Sequence, residues 1–276
     1  MLNFGFIGFG SMARMLIHGL IKYANINPIN IYVTRKDKER LNEVNSVFED
    51  IIVLTDSKDI VKNASIIFIC VKPAEVKNIL LEIAPFVRND THIISLAGSV
   101  SMNSLQSVIH GKITKYMPTI TSEIGVGVSL ICHNAYVTEN DAAFVESVIN
   151  RFGKIKYVKD EDWGFAAELT SCMPGFIASI FDHLTNAALN HTTSFNKDII
   201  NELITDTLYA TSKLFSDADM NFEQVVSRVA TKGGITQEGV MVFDEALPQV
   251  FDNMFDKTLT KRRVVEEKIN TDFQNI

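Results

Sequence analysis

Residues 3–13 of the chain are Asn3-Phe4-Gly5-Phe6-Ile7-Gly8-Phe9-Gly10-Ser11-Met12-Ala13. A short apolar run ends here in the pattern Gly-x-Gly-x-x-Ala, and apolar residues at helical spacing follow it. Gly8 allows a tight turn, Gly10 keeps side-chain bulk away from a pyrophosphate, and Ala13 lets the helix pack closely on the strand. The N–H groups of the first helical turn, where Ser11 and Met12 lie, would bind the phosphates. The stretch predicts a dinucleotide-binding turn; the alternative is a glycine turn without function.

The composition favours a globular protein with two domains. The chain has 276 residues, of which 46% are hydrophobic, so it can bury a sizeable core. Its net charge is −7 and its densest basic stretch, Lys261-Arg262-Arg263, is expected to be a solvated helix face, so nucleic acid is not an expected partner. No apolar run reaches about 18 residues and no signal peptide is recognisable, so we expect a cytoplasmic protein with no membrane partner.

The cysteine and histidine residues predict neither a disulfide nor a metal site. Cys70, Cys132 and Cys172 are odd in number and far apart, which is typical of reduced and mostly buried thiols. The six histidines lack the spacing of metal-ligand pairs. We therefore predict no metal.

The end of the second predicted strand indicates the cofactor. Asn30–Thr34 is followed by Arg35 and Lys36, at the distance from the glycines where an NAD site carries an acidic residue. A hydroxyl at Thr34 and two cations suit a 2′-phosphate, which Arg35 can clamp and Lys36 can attract. We therefore predict NADP(H); the alternative is that Arg35 and Lys36 are solvated residues that open the next helix.

Strands alternate with helices up to Val158, which predicts a doubly wound α/β sheet in residues 1–159. The fourth strand, Ser65–Val71, is apolar throughout, as expected for a strand buried on both faces. Lys72 and Pro73 end it beside the glycine turn, at the sheet edge where ligands bind, so both are candidates to line the cofactor. For Lys72 the alternative is an ordinary cation at a strand end.

Residues 160–276 show helical periodicity only and are predicted to form an all-helical domain. The segment Pro174–Leu189 is apolar almost all round, more than a small bundle can bury. A dimer that exchanges helices explains this segment; the alternative is the core helix of a monomer. The predicted helices are Trp163 to Ser171, Pro174 to Leu189, Lys197 to Phe215, Phe222 to Val229, Gln237 to Phe243 and Leu247 to Asn270.

The turn Gly233-Gly234-Ile235-Thr236 interrupts this helical half and is a candidate substrate site. Two glycines before a helix expose N–H groups that can bind a carboxylate, and the Thr236 hydroxyl can donate to or accept from a reacting nitrogen. The alternative is a structural turn with a helix cap.

The sequence resembles the pyrroline-5-carboxylate reductase family along nearly its whole length. This resemblance implies a Rossmann domain joined to a helical domain that interlocks with a second subunit, and many members form a pentamer of dimers. It also implies reduction of the ring imine of 1-pyrroline-5-carboxylate to proline with NAD(P)H. The matching segments, in the family's order and spacing, are Phe6–Ala13, Val71-Lys72-Pro73, Ser95–Gly98, Met117-Pro118, Gly125–Val128, the helix start at Pro174 and Gly233–Thr236.

Roles for single residues follow from the resemblance. Thr236 is the catalytic residue, and Gly233 and Gly234 bind the substrate carboxylate. Met173 lies where a helix approaches the nicotinamide and the substrate. Hydride transfer to a protonated imine needs no catalytic triad. The cofactor-binding residues are expected to be Gly8, Gly10, Ser11, Met12, Thr34, Arg35, Lys36, Val71, Lys72, Pro73, Ala97 and Thr119.

The chain departs from the family pattern in three turns. Thr119 replaces an Asn, Ser171 and Met173 replace two glycines, and Lys232 replaces a proline. These changes leave open a reductase-like paralogue, of the kind found beside competence genes in some bacteria, with another imine substrate or a regulatory role. A third reading, a 3-hydroxyacid dehydrogenase, requires a lysine base on the helix near Trp163, which carries Glu168 instead.

Overall fold

A computed structural model of the chain describes residues 2–35, 37 and 42–274. Among these residues, eight strands form one sheet, and all neighbouring strands are parallel except the sixth and seventh. The strands are β1 (Phe4–Ile7), β2 (Ile31–Thr34), β3 (Ile52–Val53), β4 (Ile66–Ile69), β5 (His92–Ser95), β6 (Lys112–Met117), β7 (Gly127–His133) and β8 (Gly153–Tyr157). Their order across the sheet is β3-β2-β1-β4-β5-β6-β7-β8, which confirms the doubly wound sheet.

The α-helices of the described residues connect the strands and then make up most of the second half. They are α1 (Ser11–Lys22), α2 (Asn42–Val47), α3 (Ser57–Asn63), α4 (Pro73–Ile83), α5 (Met102–Gln106), α6 (Glu139–Ile149), α7 (Trp163–Leu169), α8 (Met173–Leu189), α9 (Lys197–Ser216), α10 (Phe222–Val229) and α11 (Ile235–Gln274).

The sheet carries a hydrophobic core on each face. Every residue of β1, β4 and β5 is buried, because these central strands are covered by helices on both sides. Successive side chains of a strand point to opposite faces. Phe6 and Phe68 therefore stack in one core with ring centroids 4.8 Å apart, whereas Ile7 and Ile67 belong to the other.

The chain forms two compact units, whose limits differ from the sequence boundary at 159/160. The first unit comprises two segments, Met1–Pro174 and Thr258–Ile276. The second unit comprises Gly175–Lys257. The end of α11 belongs to the first unit because Ile269 and Phe273 are buried in one of its cores. The division into an NADP-binding domain, 1–159, and a helical dimerisation and substrate domain, 160–276, stays a prediction.

The structure corrects one predicted interruption in the second half. The helices predicted over Gln237–Phe243 and Leu247–Asn270 are one helix, α11, which runs through Pro248. A proline removes one hydrogen-bond donor from a helix and disfavours its interior, but it does not always end the helix.

Candidate cofactor and substrate site

A cavity of about 420 Å³ lies at the carboxyl ends of β1, β2, β3 and β4, the edge at which open parallel sheets bind ligands. Of the predicted cofactor residues, it brings together Gly8, Thr34, Arg35 and Val71. Ile7, Ile79 and several polar side chains complete the lining, among them Asp56, Ser57, Glu75 and Asn78. The role of each of these residues in cofactor binding stays a prediction.

The glycine turn between β1 and α1 fits a bound pyrophosphate. Gly8 has a φ of +101°, and a Cβ there would lie 2.9 Å from the carbonyl carbon and oxygen of Cys70. Gly10 is the N-cap of α1, so no side chain caps this helix start. Among the described residues, no other atom lies within 4 Å of the position that a Cβ at Gly10 would take. Ser11 and Met12 begin α1, whose first N–H groups have no partner inside the helix.

The end of β2 presents Arg35, but not as an isolated cation. Its Nη1 lies 2.9 Å from Oε2 of Glu43 on α2, and the Arg35 side chain is largely covered. Thr34 is buried, and its backbone oxygen accepts a hydrogen bond from Gly8 N at 2.9 Å, which joins the two ends of the predicted site. Lys36 lies outside the described residues.

Three further predicted cofactor residues follow strands β4 and β5 at the same edge of the sheet. Lys72 is the N-cap of α4 and Pro73 its first residue, as expected for a proline whose missing N–H has no helical partner. Ala97 is buried two residues after β5. None of the three belongs to the lining of the 420 Å³ cavity as the described residues define it.

Thr119 has a structural role in its own loop. The residue is 3% exposed, and its Oγ1 accepts a hydrogen bond from Val128 N at 3.1 Å. A second contact of 2.8 Å joins this oxygen to Oγ1 of Thr121. The hydroxyl therefore ties the end of β6 to the start of β7.

The glycine turn of the second unit keeps its N–H groups occupied. Gly233 has a φ of +74° and donates its N–H to Oε1 of Gln237 at 2.7 Å. Gly234 donates to the backbone oxygen of Thr231 at 2.9 Å. Thr236 lies in the first turn of α11, where N–H groups lack helical partners. A carboxylate bound to Gly233 would have to displace the Gln237 side chain.

The altered turn between α7 and α8 places Met173 as the first residue of α8. Cys172 N donates to the backbone oxygen of Ala167 at 3.0 Å, which closes the turn. Burial first, and then the nearby charge of Glu168, raise the pKa of the Cys172 thiol. Cys70, Cys132 and Cys172 are free thiols, and each is half-buried.

A buried ion pair that the sequence analysis missed lies beside this turn. Oε1 of Glu168 accepts hydrogen bonds from Nε and Nη2 of Arg262, at 3.0 and 2.8 Å. Arg262 is therefore not part of a solvated helix face, whereas its neighbours Lys261 and Arg263 are exposed. The partners are 94 residues apart, so no local pattern pointed to them.

Two family models match separate parts of the chain. Residues 3–98 match the family of NADP oxidoreductases described as coenzyme F420-dependent. Residues 161–265 match the pyrroline-5-carboxylate reductase dimerisation family.

Comparisons over nearly the full length agree with these matches. The chain is 33% identical to pyrroline-5-carboxylate reductase 3 of Bacillus subtilis over 270 residues, covering 96% of this chain and 97% of that protein. It is 25% identical to ComE operon protein 4 of the same organism, over 94% of this chain and 95% of that protein. The fold is shared with the Plasmodium falciparum pyrroline carboxylate reductase with NADP bound, with a TM-score of 0.81, 20% identity, and coverage of 98% and 97%. The chain belongs to the pyrroline-5-carboxylate reductase family.

Proposed function

We propose that the chain reduces the ring C=N bond of 1-pyrroline-5-carboxylate to give L-proline, with NADPH as the hydride donor. The observation that carries this proposal is the 33% identity to pyrroline-5-carboxylate reductase 3, which extends over both units. The empty space at Gly10 and the cavity that joins Gly8 to Arg35 support a dinucleotide with a 2′-phosphate. The reaction would serve proline biosynthesis.

The proposed role of each residue follows from its position in the fold. The first turn of α1 holds the pyrophosphate, and Arg35 pairs with the 2′-phosphate. When bound, NADPH supplies a hydride to the imine carbon. Thr236 places its hydroxyl at the ring nitrogen, and the N–H groups at the start of α11 bind the carboxylate. We assign Met173 to the substrate site and Thr119 to the cofactor site.

A reductase-like paralogue is the second candidate, because the chain also matches ComE operon protein 4 over 94% of its length. Two observations favour it: side chains replace the glycines at Ser171 and Met173, and Gln237 occupies the N–H of Gly233. Such a protein would bind NADP(H) and either reduce another cyclic imine or act without turnover.

The experiment that separates the two candidates combines turnover and binding on one sample. Oxidation of NADPH is followed by absorbance with 1-pyrroline-5-carboxylate, and NADPH binding is measured by calorimetry. Turnover supports the reductase. Tight NADPH binding without turnover contradicts it and favours the paralogue, and other cyclic imines are then tested.

We infer that the protein acts in the cytoplasm as a homodimer. Several dimers can associate into a larger oligomer. The stretch Asp160–Leu189 is long and apolar enough to cross a membrane by length and composition. However, α7 ends at Leu169 and α8 begins at Met173, so this stretch is not one continuous helix. Its match to the dimerisation family supports a subunit interface rather than a membrane span.

A further inference from the structure

A second cavity in the first unit, of about 330 Å³, lies beyond β5 and β6. Gly98 follows the end of β5, and Met117 is the last residue of β6, so both mark the carboxyl ends of their strands. The other residues that line the cavity are Ser99, Glu168, Thr258, Lys261, Arg262 and Val265.

Glu168 brings an unsatisfied hydrogen-bond acceptor to this cavity. The residue is 2% exposed, and Arg262 donates two hydrogen bonds to the same oxygen, Oε1. Within residues 2–35, 37 and 42–274, the buried Oε2 has no hydrogen-bond partner. A buried carboxylate oxygen without a donor is costly, so the position favours a ligand that carries an N–H group.

A second unsatisfied group in this part of the fold, a donor, does not line the cavity. The indole Nε1 of Trp163 is buried and has no partner among the described residues. It lies 3.3 Å from the position that a Cβ at Gly98 would take, but Met117 Cε lies closer still to that position and fills the space, so this N–H is covered. The acceptor that Glu168 brings to the cavity matches the NH₂ group of a primary carboxamide, which is such a donor.

The order of the strands indicates which carboxamide this is. Arg35 lies at the end of β2 and Gly8 at the end of β1, so a dinucleotide with its 2′-phosphate at Arg35 runs from β2 across β1. Its other end continues toward β4, β5 and β6, where the second cavity lies. That end of NADPH carries a nicotinamide with a primary carboxamide.

We propose that Glu168 is a cofactor-positioning residue, whose Oε2 accepts a hydrogen bond from the carboxamide NH₂ of bound nicotinamide. The proposal rests on NADPH being the cofactor, as in the proposed function, but not on the identity of the imine. Arg262 would hold the Glu168 carboxylate in place, and the hydrogen bond would fix which face of the nicotinamide ring meets the substrate.

The test uses Glu168→Gln and two cofactors. Because Arg262 requires an acceptor, the Gln carbonyl is expected to replace Oε1, and its NH₂ group then replaces Oε2. This donor opposes the carboxamide NH₂ of NADPH. The reduced 3-acetylpyridine analogue of NADPH has a methyl group in place of that NH₂, so it does not donate there. Affinities of both cofactors are measured by calorimetry, without imine, for the wild-type protein and the variant.

We expect the affinity for NADPH to fall about tenfold in Glu168→Gln, while the affinity for the acetylpyridine analogue stays the same or rises. The matched control is Glu266→Gln, because Glu266 also faces Arg262, at 3.9 Å, but does not line the cavity. It should leave both affinities unchanged.

Equal losses for both cofactors, or no loss for either, would overturn the assignment of Glu168. A change confined to the KM of the imine would also overturn it, in favour of a contact with the substrate. Failure of the reductase proposal has a different signature: the wild-type protein binds NADPH but does not oxidise it with 1-pyrroline-5-carboxylate, and the change in cofactor preference remains.

Discussion

Arg35 holds Glu43 with 2.9 Å between Nη1 and Oε2, at the lining of the cavity that receives the adenosine end of the cofactor in our proposal. The guanidinium is thus oriented before any ligand binds, which lowers the conformational entropy that phosphate binding must overcome. The nearby Glu43 carboxylate would repel a 2′-phosphate, so the attraction has to come from the Arg35 guanidinium. Arg35 is therefore expected to determine the preference for NADPH over NADH.

Replacement of this arginine should affect the binding of NADPH and NADH differently. We expect Arg35→Ala to weaken NADPH binding by about tenfold to a hundredfold, because a charge-assisted contact with the 2′-phosphate is lost. NADH lacks that phosphate and serves as the internal control. Titration of the variant with each cofactor measures the effect, and equal losses for both would disprove the assignment.

The role of the Thr236 hydroxyl in the reaction can be tested by removing it. We expect Thr236→Ala to lower kcat for the imine at least about tenfold with little change in the dissociation constant of NADPH, because the hydroxyl is assigned to the ring nitrogen. Thr236→Ser keeps the hydroxyl and should recover most of the rate. If the alanine variant has wild-type kinetics at saturating imine, Thr236 has no part in the reaction.

Among the elements, β5, β6 and β7 share a buried chain of hydrogen bonds at the edge opposite the cofactor cavity. His92 Nε2 lies 2.6 Å from Oγ1 of Thr114, which lies 2.6 Å from Nδ1 of His133. His133 Nε2 in turn lies 3.0 Å from Oε1 of Glu146 on α6. Burial, and secondarily the nearby His133, lower the pKa of His92 to about 4.

This shift makes the stability of the sheet depend on pH. His92 titrates near 6.5 in the unfolded chain and near 4 in the fold, so below pH 6.5 only the unfolded chain takes up the proton. The stabilisation is complete above pH 6.5 and is lost as the pH falls to about 4, at up to about 1.4 kcal/mol per unit.

Urea unfolding at several pH values and constant protein concentration measures this loss. We expect His92→Gln to flatten the dependence between pH 6.5 and 4, whereas the exposed His18, replaced by Gln, should leave it unchanged. A wild-type slope that survives in His92→Gln would show that another group is responsible.

At the scale of the whole molecule, the second unit exposes more apolar surface than an isolated chain of this kind tolerates. Leu184 is 43% and Ile180 is 47% exposed on α8, and Thr185 is the buried residue of this helix. The helix is thus not the core helix of a monomer, which was the alternative interpretation of its sequence. Together with the family's dimerisation domain, this exposure supports a dimer that covers α8.

A charge on this face should separate the subunits. We expect Leu184→Glu to halve the mass measured by light scattering after gel filtration, because an unpaired carboxylate would be buried in the interface. The control Asn89→Glu adds the same charge at an exposed loop of the first unit and should leave the mass unchanged. A dimer that persists in Leu184→Glu would exclude this face as the interface.

The sequence by itself determined what local spacing encodes. Strand, turn and helix follow from the periodicity of residues a few positions apart, so the glycine turn, the alternating half and the bounds of α10 were predictable. The family resemblance, carried by short motifs in order, was confirmed for the same reason.

Only the tertiary structure decided which distant residues meet. The Glu168–Arg262 pair joins positions 94 apart, and Asn270 contacts Ser99, 171 positions away; these contacts place the end of α11 in the first unit. Pro248 lies within α11 although a proline disfavours a helix interior. Contacts between distant residues depend on how the whole chain packs, and local patterns do not encode them.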